Sequence, residues 1–358
     1  MRKFVPFIML SCVLMSVLPA CMKQKPKELS ASHSIRDLVL IYDGGAHRNY
    51  KWNKETLYPY VVYTDSAKQP HWLFDGFLFL EFKDGKGRCY ASYYEKTGAR
   101  KQEWSYLLNN YLRPGNAVCA LDDCIEDVAK EIGAPCFKRR VVLCLPEPIP
   151  GQKDWGELDG KSLDFDSVPD RIAACKWYID YAIAKFDSVA PKHLELSGFY
   201  WIAEEATNSR TIAKPIGDYI QEKDLGFYWI PYWGSDGNTE WKSLNFEHAY
   251  IQPNFFFRDE LTSDHIDTAC AFARKNNMNV EMEFDERALK KHGRGQRMYD
   301  YLHGFQRNGV LDSLDIAYYQ GGTAWYDLYK STEPEDQALY RFMADIIVKR
   351  QEAVSEKR

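Results

Sequence analysis

Two acidic clusters stand at the ends of two β-rich runs. Glu204-Glu205 closes LELSGFYWIAEE (194–205), and Glu281 and Glu283 lie within NVEMEFDE (279–286). Two carboxyl groups held across one pocket can cleave a glycosidic bond. One protonates the departing oxygen, and the other attacks the anomeric carbon or activates a water. Glu281 and Glu283 alternate with Val280, Met282 and Phe284, so both point to one face of a strand. A carboxylate on an inner strand face is costly unless it is hydrogen-bonded or used. The competing reading is a structural network with Arg or Tyr. Neighbouring strand residues diverge, so Glu204 and Glu205 do not both enter one site. Continued alternation sets Glu205 with Trp201 and Ala203, and Glu204 with Ile202 and Tyr200. Glu205 is the favoured member of that pair.

What must position these groups is read from the spacing along the chain. Short β-rich runs cover Leu38–Tyr42, Gly76–Phe82, Val141–Leu145, Leu194–Trp201, Gly226–Tyr232, Ala249–Gln252, Asn279–Phe284 and Leu314–Tyr319. Helical spacing falls between most of them, as in 169–186, where Ile172, Trp177, Ile179, Ile183 and Phe186 repeat at helical intervals. Eight such runs with helices between them predict an α/β chain folded as a single (β/α)8 TIM barrel over residues 35–352. A doubly wound sheet would want a Gly-rich phosphate turn after the first strand, and Asp43-Gly44-Gly45-Ala46 is not one. No internal repeat and no Pro/Ser-rich linker divides the span. In this barrel, chemistry collects at the C-terminal strand ends. The acidic clusters fall at strands four and seven.

Other polar and aromatic groups close the remaining strands. Asp43, Glu147, Asp236, Gln252, Asn254 and Gln320 can hydrogen-bond sugar hydroxyls, and Trp201, Trp233, Tyr318 and Trp325 can stack on sugar rings. An apolar wall of Tyr200, Trp201 and Trp233 would raise the pKa of the acid. The run Lys290–Arg297 is the one basic cluster beside the expected mouth; it either holds an anionic group or is a solvated helix start. The eight histidines form no HxH or HExxH, and GxSxG is absent. No cofactor and no metal is expected.

The chain ends and composition bear on location. Arg2 and Lys3 precede an apolar run, Phe4–Leu18, that is too short to span a membrane. Residues 1–20 read as an export signal and 21–34 as a polar, flexible tether. Without residues 1–20, the formal charge of −5 becomes −7, because Arg2 and Lys3 leave. No basic block suggests nucleic acid, and a monomer is expected. Of the nine cysteines, seven lie beyond Cys21 with no framework spacing. Cys144, Cys175 and Cys270 read as core thiols, while Cys119 and Cys124 are candidates for a pair. Aromatic residues make up 15% of the chain, which suits either a carbohydrate cleft or a bulky core.

Leu18-Pro19-Ala20-Cys21 resembles the bacterial lipoprotein box, which implies lipidation of Cys21 and anchoring in the cell envelope, at the outer membrane or in the periplasm; plain cleavage near Ala20 is the alternative. The whole resembles the clan of retaining glycosidases built on (β/α)8 barrels. In that clan the acid/base Glu ends strand four and the nucleophile Glu ends strand seven. The resemblance therefore implies Glu204 or Glu205 as acid/base and Glu283, or else Glu281, as nucleophile. The chain departs from the clan in one place: an Asn commonly precedes the strand-four Glu, and here Ala203 or Glu204 does. Through IYDGG, GFYWIAEE and YYQGG the chain also resembles an uncharacterised family of bacterial lipoproteins with glycosidase-like barrels. These resemblances imply a carbohydrate partner and hydrolysis of a poly- or oligosaccharide. The alternatives are a non-catalytic glycan-binding lipoprotein on the same barrel, and a structural lipoprotein whose carboxylates sit in salt bridges.

Overall fold

The computed structural model describes Met1 and residues 34–355. The leader, Cys21 and all of the tether except Ser34 lie outside the described residues. Eight parallel strands close into a barrel: β1 (Asp37–Tyr42), β2 (Gly76–Leu80), β3 (Arg139–Leu145), β4 (Leu194–Trp201), β5 (Gly226–Trp229), β6 (His248–Ile251), β7 (Asn279–Glu283) and β8 (Ile316–Tyr319). Each pairs with its neighbour in chain order, and β8 returns to β1 with Asp37 opposite Ile316. The expected (β/α)8 architecture is the observed one.

The strands read as nearly continuous apolar runs because both faces are covered, one by the barrel interior and one by helices. The helices are α1 (Lys54–Val61), α2 (Lys101–Tyr111), α3 (Ala117–Ile132), α4 (Val168–Val189), α5 (Ala213–Glu222), α6 (Asp264–Lys275), α7 (Gly295–Arg307), α8 (Val310–Ser313), α9 (Ala324–Lys330) and α10 (Pro334–Ser355). α1 escapes a reading by periodicity because Pro59 sits inside it, although Asn53 caps it by accepting from the Thr56 N–H.

β4 carries an irregularity that matters to the site. Its register against β3 shifts between Leu196 and Gly198. At Gly198 the β5 backbone comes so close that a Cβ would lie 2.1 Å from the Gly226 carbonyl oxygen. Only glycine fits there.

The N-terminal end of the barrel is tied by a buried ion pair. Arg350 of α10 donates from Nε to Asp37 at 2.7 Å, and Gln351 donates to Asp37 and Asp75. The seven cysteines beyond Cys21 are all unpaired. Cys119 and Cys124 both sit in α3, and Cys119 faces the Leu112 carbonyl oxygen at 3.2 Å. The two candidates are not bonded to each other. Cys144, Cys175 and Cys270 are buried.

Candidate active site

β7 turns Glu281 and Glu283 inward, and both are buried, at 2% exposure. Their surroundings differ. Glu283 accepts a 2.6 Å hydrogen bond from the Tyr301 hydroxyl. Burial pushes its pKa up, while Tyr301 and the backbone N–H groups of Asn254 and Phe255 pull it back and the Glu204 charge adds to the rise. The Glu281 carboxyl accepts no hydrogen bond among the described residues. Burial raises its pKa far above the ordinary value, with Glu283 and then Glu204 adding to the rise. Of the two, Glu283 is the one that ionises first.

β4 ends at Trp201, and the chain then bends through Ala203–Thr207, so strand parity does not carry on to the acidic pair. Glu204 turns toward the barrel centre. It accepts from Gln252 Nε2 at 3.0 Å and from the Tyr94 hydroxyl at 3.4 Å. Burial pushes its pKa up to about 7, against the pull of these two donors. Glu205 accepts from the Tyr232 hydroxyl at 3.1 Å and lines the same cavity as Glu204, so the expectation that only one of the two enters a common pocket does not hold past the strand end. The alternation argument that favoured Glu205 does not extend through this bend, and it is the Glu204 charge that acts on Glu281 and Glu283. Among the described residues, none of the four carboxylates is ion-paired with Arg or Lys, so a structural salt-bridge role has no support.

Beside Glu204 lies a cavity of about 260 Å³, lined in part by Glu147, Glu204, Glu205, Tyr93, Tyr94 and Tyr232. Glu147 follows β3 and is 2% exposed. Its Oε2 accepts from the Ser92 N–H at 2.7 Å. Its Oε1 has no hydrogen-bond partner. Burial raises its pKa, offset partly by Ser92 and by the Arg171 guanidinium. The loop that supplies Ser92–Tyr94 is bracketed by paired two-residue strands, Arg88–Cys89 and Thr97–Gly98. Tyr94 is also stacked on Phe82, with ring centroids 4.1 Å apart. Sequence reasoning passed over this loop. The adjacent Tyr93-Tyr94 in a polar stretch between Gly87 and Gly98 was its only visible signal.

Several anticipated sugar ligands serve the scaffold instead. Trp201 is fully buried, packs edge-on to Phe227 and donates to Ser209. Tyr318 reaches toward the opposite end of the barrel and donates to Asp37. Trp325 is buried against Phe74 and Tyr340 and donates to the Pro59 carbonyl. Gln320 is buried between Tyr60, the Leu40 carbonyl and the Trp325 N–H. Trp233 packs on His265 and Phe272 of α6. Asp43 accepts from Asn110 and Asn116, and Asp236 is held by Arg210 and Thr207. In each case packing or a local partner occupies the group a sugar would need. Gln252 donates to Glu204, and the backbone N–H of Asn254 serves Glu283. The basic run is also engaged: Arg294 pairs with Asp259, Lys290 with Glu335, and Arg297 donates to backbone carbonyls of Arg258 and Leu261.

A family model described as Domain of unknown function (DUF4855) matches residues 37–345, from the start of β1 into α10. The chain belongs to that family. No curated protein matches this DUF4855 chain. Among solved structures it is similar to the catalytic domain of a family GH18 chitinase from the fern Peteris ryukyuensis. Identity there is 10%, coverage 86% of this chain and 99% of that one, and the TM-score 0.45. A family 18 chitinase from Crocus vernus is similar at 13% identity, with 89% and 99% coverage and a TM-score of 0.43. At such identity and score the likeness carries no information on activity.

Proposed function

We propose that this protein hydrolyses glycosidic bonds in an oligo- or polysaccharide by a two-carboxylate, retaining mechanism. Glu204 is the general acid and base, and Glu283 the nucleophile. The observation that carries this reading is the closeness of Glu204 to the β7 carboxylates at the C-terminal end of the barrel, where its charge raises the pKa of both Glu281 and Glu283. There, burial pushes both Glu204 and Glu283 up to about 7; Glu283 is given the nucleophile's role because Tyr301 and two backbone N–H groups stand ready to hold its ionised form.

In the first step Glu283 attacks the anomeric carbon while Glu204 gives its proton to the departing oxygen. The sugar is then held as an ester on Glu283. In the second step Glu204 takes a proton from water, and that water displaces Glu283. Glu281, neutral and one step deeper on the same face, sits beneath the nucleophile without adding a second charge.

The test is turnover of a panel of glycosides, with product stereochemistry followed by NMR. Glu204→Gln and Glu283→Gln each lower kcat by roughly 10²–10⁴-fold, and the first-formed product keeps the substrate's anomeric configuration. Full activity in either variant removes that residue from the mechanism. An inverted product assigns Glu283 to base catalysis. Saturable glycan binding with no product from the wild-type chain favours the non-catalytic alternative.

A further inference from the structure

The cavity beside Glu204 has a composition that the proposed hydrolysis does not explain. Its lining includes three carboxyl groups, Glu147, Glu204 and Glu205, and three tyrosines, Tyr93, Tyr94 and Tyr232, and among the described residues it includes no lysine or arginine. One carboxylate oxygen, Oε1 of Glu147, is buried there with no donor in full hydrogen-bonding geometry among the described residues, although the Ser92 and Asn208 side chains lie close to the carboxyl. A buried carboxylate oxygen left unpaired is costly, and a ligand that brings a donor recovers that cost. Arg171, whose charge reaches Glu147, donates its N–H groups to the carbonyls of Pro148 and Asn208. No group of three such acidic side chains among the described residues converges closely enough to hold a metal ion.

The rim adds a second observation. Tyr93 is 78% exposed and holds a backbone φ of 75°, in the left-handed region that side chains other than glycine rarely adopt. Its neighbours fix it there. Ser92 is bonded to Glu147, and Tyr94 to Glu204 and Phe82. The strained residue thus presents an open aromatic ring at the mouth of an acidic pocket.

Carboxylates with tyrosine rings and no lysine or arginine in the lining are the chemistry that recognises an organic ammonium group. We propose that this cavity is the leaving-group subsite, and that it takes a sugar unit carrying a free, protonated amine, held by Glu147 and stacked on Tyr93. The position fits that role, because the cavity is lined by the proton donor Glu204 and not by the β7 nucleophile. An N-acetylated unit loses the charge that Glu147 would pair with. A uronate meets like charge and is rejected. This inference rests on the glycosidase reading for its position, although its binding chemistry can be tested apart from turnover.

The experiment is calorimetric titration of the full chain, carrying Glu283→Gln so that no ligand is consumed, at about pH 6.5, where a sugar amine is ionised. The probes are a glucosamine oligomer, its fully N-acetylated counterpart and a glucuronic acid oligomer of equal length. The free-amine oligomer is expected to bind at least roughly tenfold tighter than the acetylated one, with no uptake of the uronate. Adding Glu147→Gln erases that preference, and adding Tyr93→Ala weakens binding of the free-amine oligomer. Equal or tighter binding of either other probe, no binding of the free-amine oligomer, or a preference that survives Glu147→Gln overturns the proposal. Amine-selective binding by a chain whose wild-type form releases no reducing ends keeps the subsite and rejects hydrolysis. Cleavage without amine selectivity does the reverse.

Discussion

Tyr301 donates its 2.6 Å hydrogen bond to the ionised form of Glu283, and this lowers a pKa that burial has raised. Removing the hydroxyl therefore has a definite sign. Tyr301→Phe raises the Glu283 pKa, so the carboxylate needed for attack forms only at higher pH. On the proposed mechanism, the ascending limb of kcat/KM against pH moves up by about one unit, and by more than the descending limb does. A wild-type profile measured beside Tyr301→Phe checks this, and an unmoved ascending limb would detach Tyr301 from the nucleophile. The three carboxyls titrate as a group, so the limbs belong to the cluster and not to single residues. At this scale the sequence was informative about type and poor about partner. The inward face shared by Glu281 and Glu283 was legible from period-two alternation. The choice between Glu204 and Glu205 was not, because β4 ends at Trp201 and the following bend turns the two side chains by rules that alternation does not contain.

At the scale of elements, the positions of all eight strands could be counted from β-rich runs and the helical spacing between them. What the count could not supply was where the polar strand ends point. Gln320 and Trp325 look like ligands in sequence because they follow the last strand, yet α9 folds back and buries both against Tyr60 and α1. The same holds at the far end of the barrel, where α10 returns Arg350 to Asp37 at the β1 seam, with 3% and 0% exposure of the two side chains. Breaking such a pair strands a buried charge. Arg350→Leu leaves Asp37 and Asp75 without that guanidinium and is expected to cost about 3–5 kcal/mol, read as a lower urea midpoint with an unchanged slope. Because the pair lies at the end of the barrel away from Glu204 and Glu283, kcat of the folded fraction is expected to hold. A midpoint within error of wild type would show that α10 docking does not depend on this pair.

The whole molecule carries an unusual number of buried acids held above their ordinary pKa. Glu204 and Asp315 are each pushed up to about 7, and Asp75, Glu147, Glu281 and Glu283 are raised as well, in every case chiefly by burial. The consequence for stability follows from proton counting. Between the unfolded and folded pKa values, the folded chain binds more protons than the unfolded one, so stability falls as pH rises through that window. None of these groups adds anything adverse below its unfolded pKa, and for Glu204, Glu283 and Asp315 the full cost is felt above about pH 7. The acids held low by partners, such as Asp236 beside Arg210 at about 2, lose their contribution only at strongly acidic pH and do not mask the effect. The protein is therefore expected to unfold at a higher temperature near pH 5.5 than near pH 8, the reverse of a chain stabilised mainly by ionised carboxylates. For Glu204 alone, a rise from 4.5 to about 7 corresponds to at most roughly 3 kcal/mol, less whatever solvent at the mouth screens. Glu204→Gln removes that cost together with the charge. Its melting temperature should rise relative to wild type by clearly more at pH 8 than at pH 5.5, where less than half of the cost has developed, and calorimetric scans at both values decide the matter. A gain of equal size at both pH values would mean that packing, and not a buried charge, separates the two proteins. The site that would make this barrel an enzyme is then also what limits its stability in alkaline solution, a trade expected where carboxylates are kept dry for chemistry.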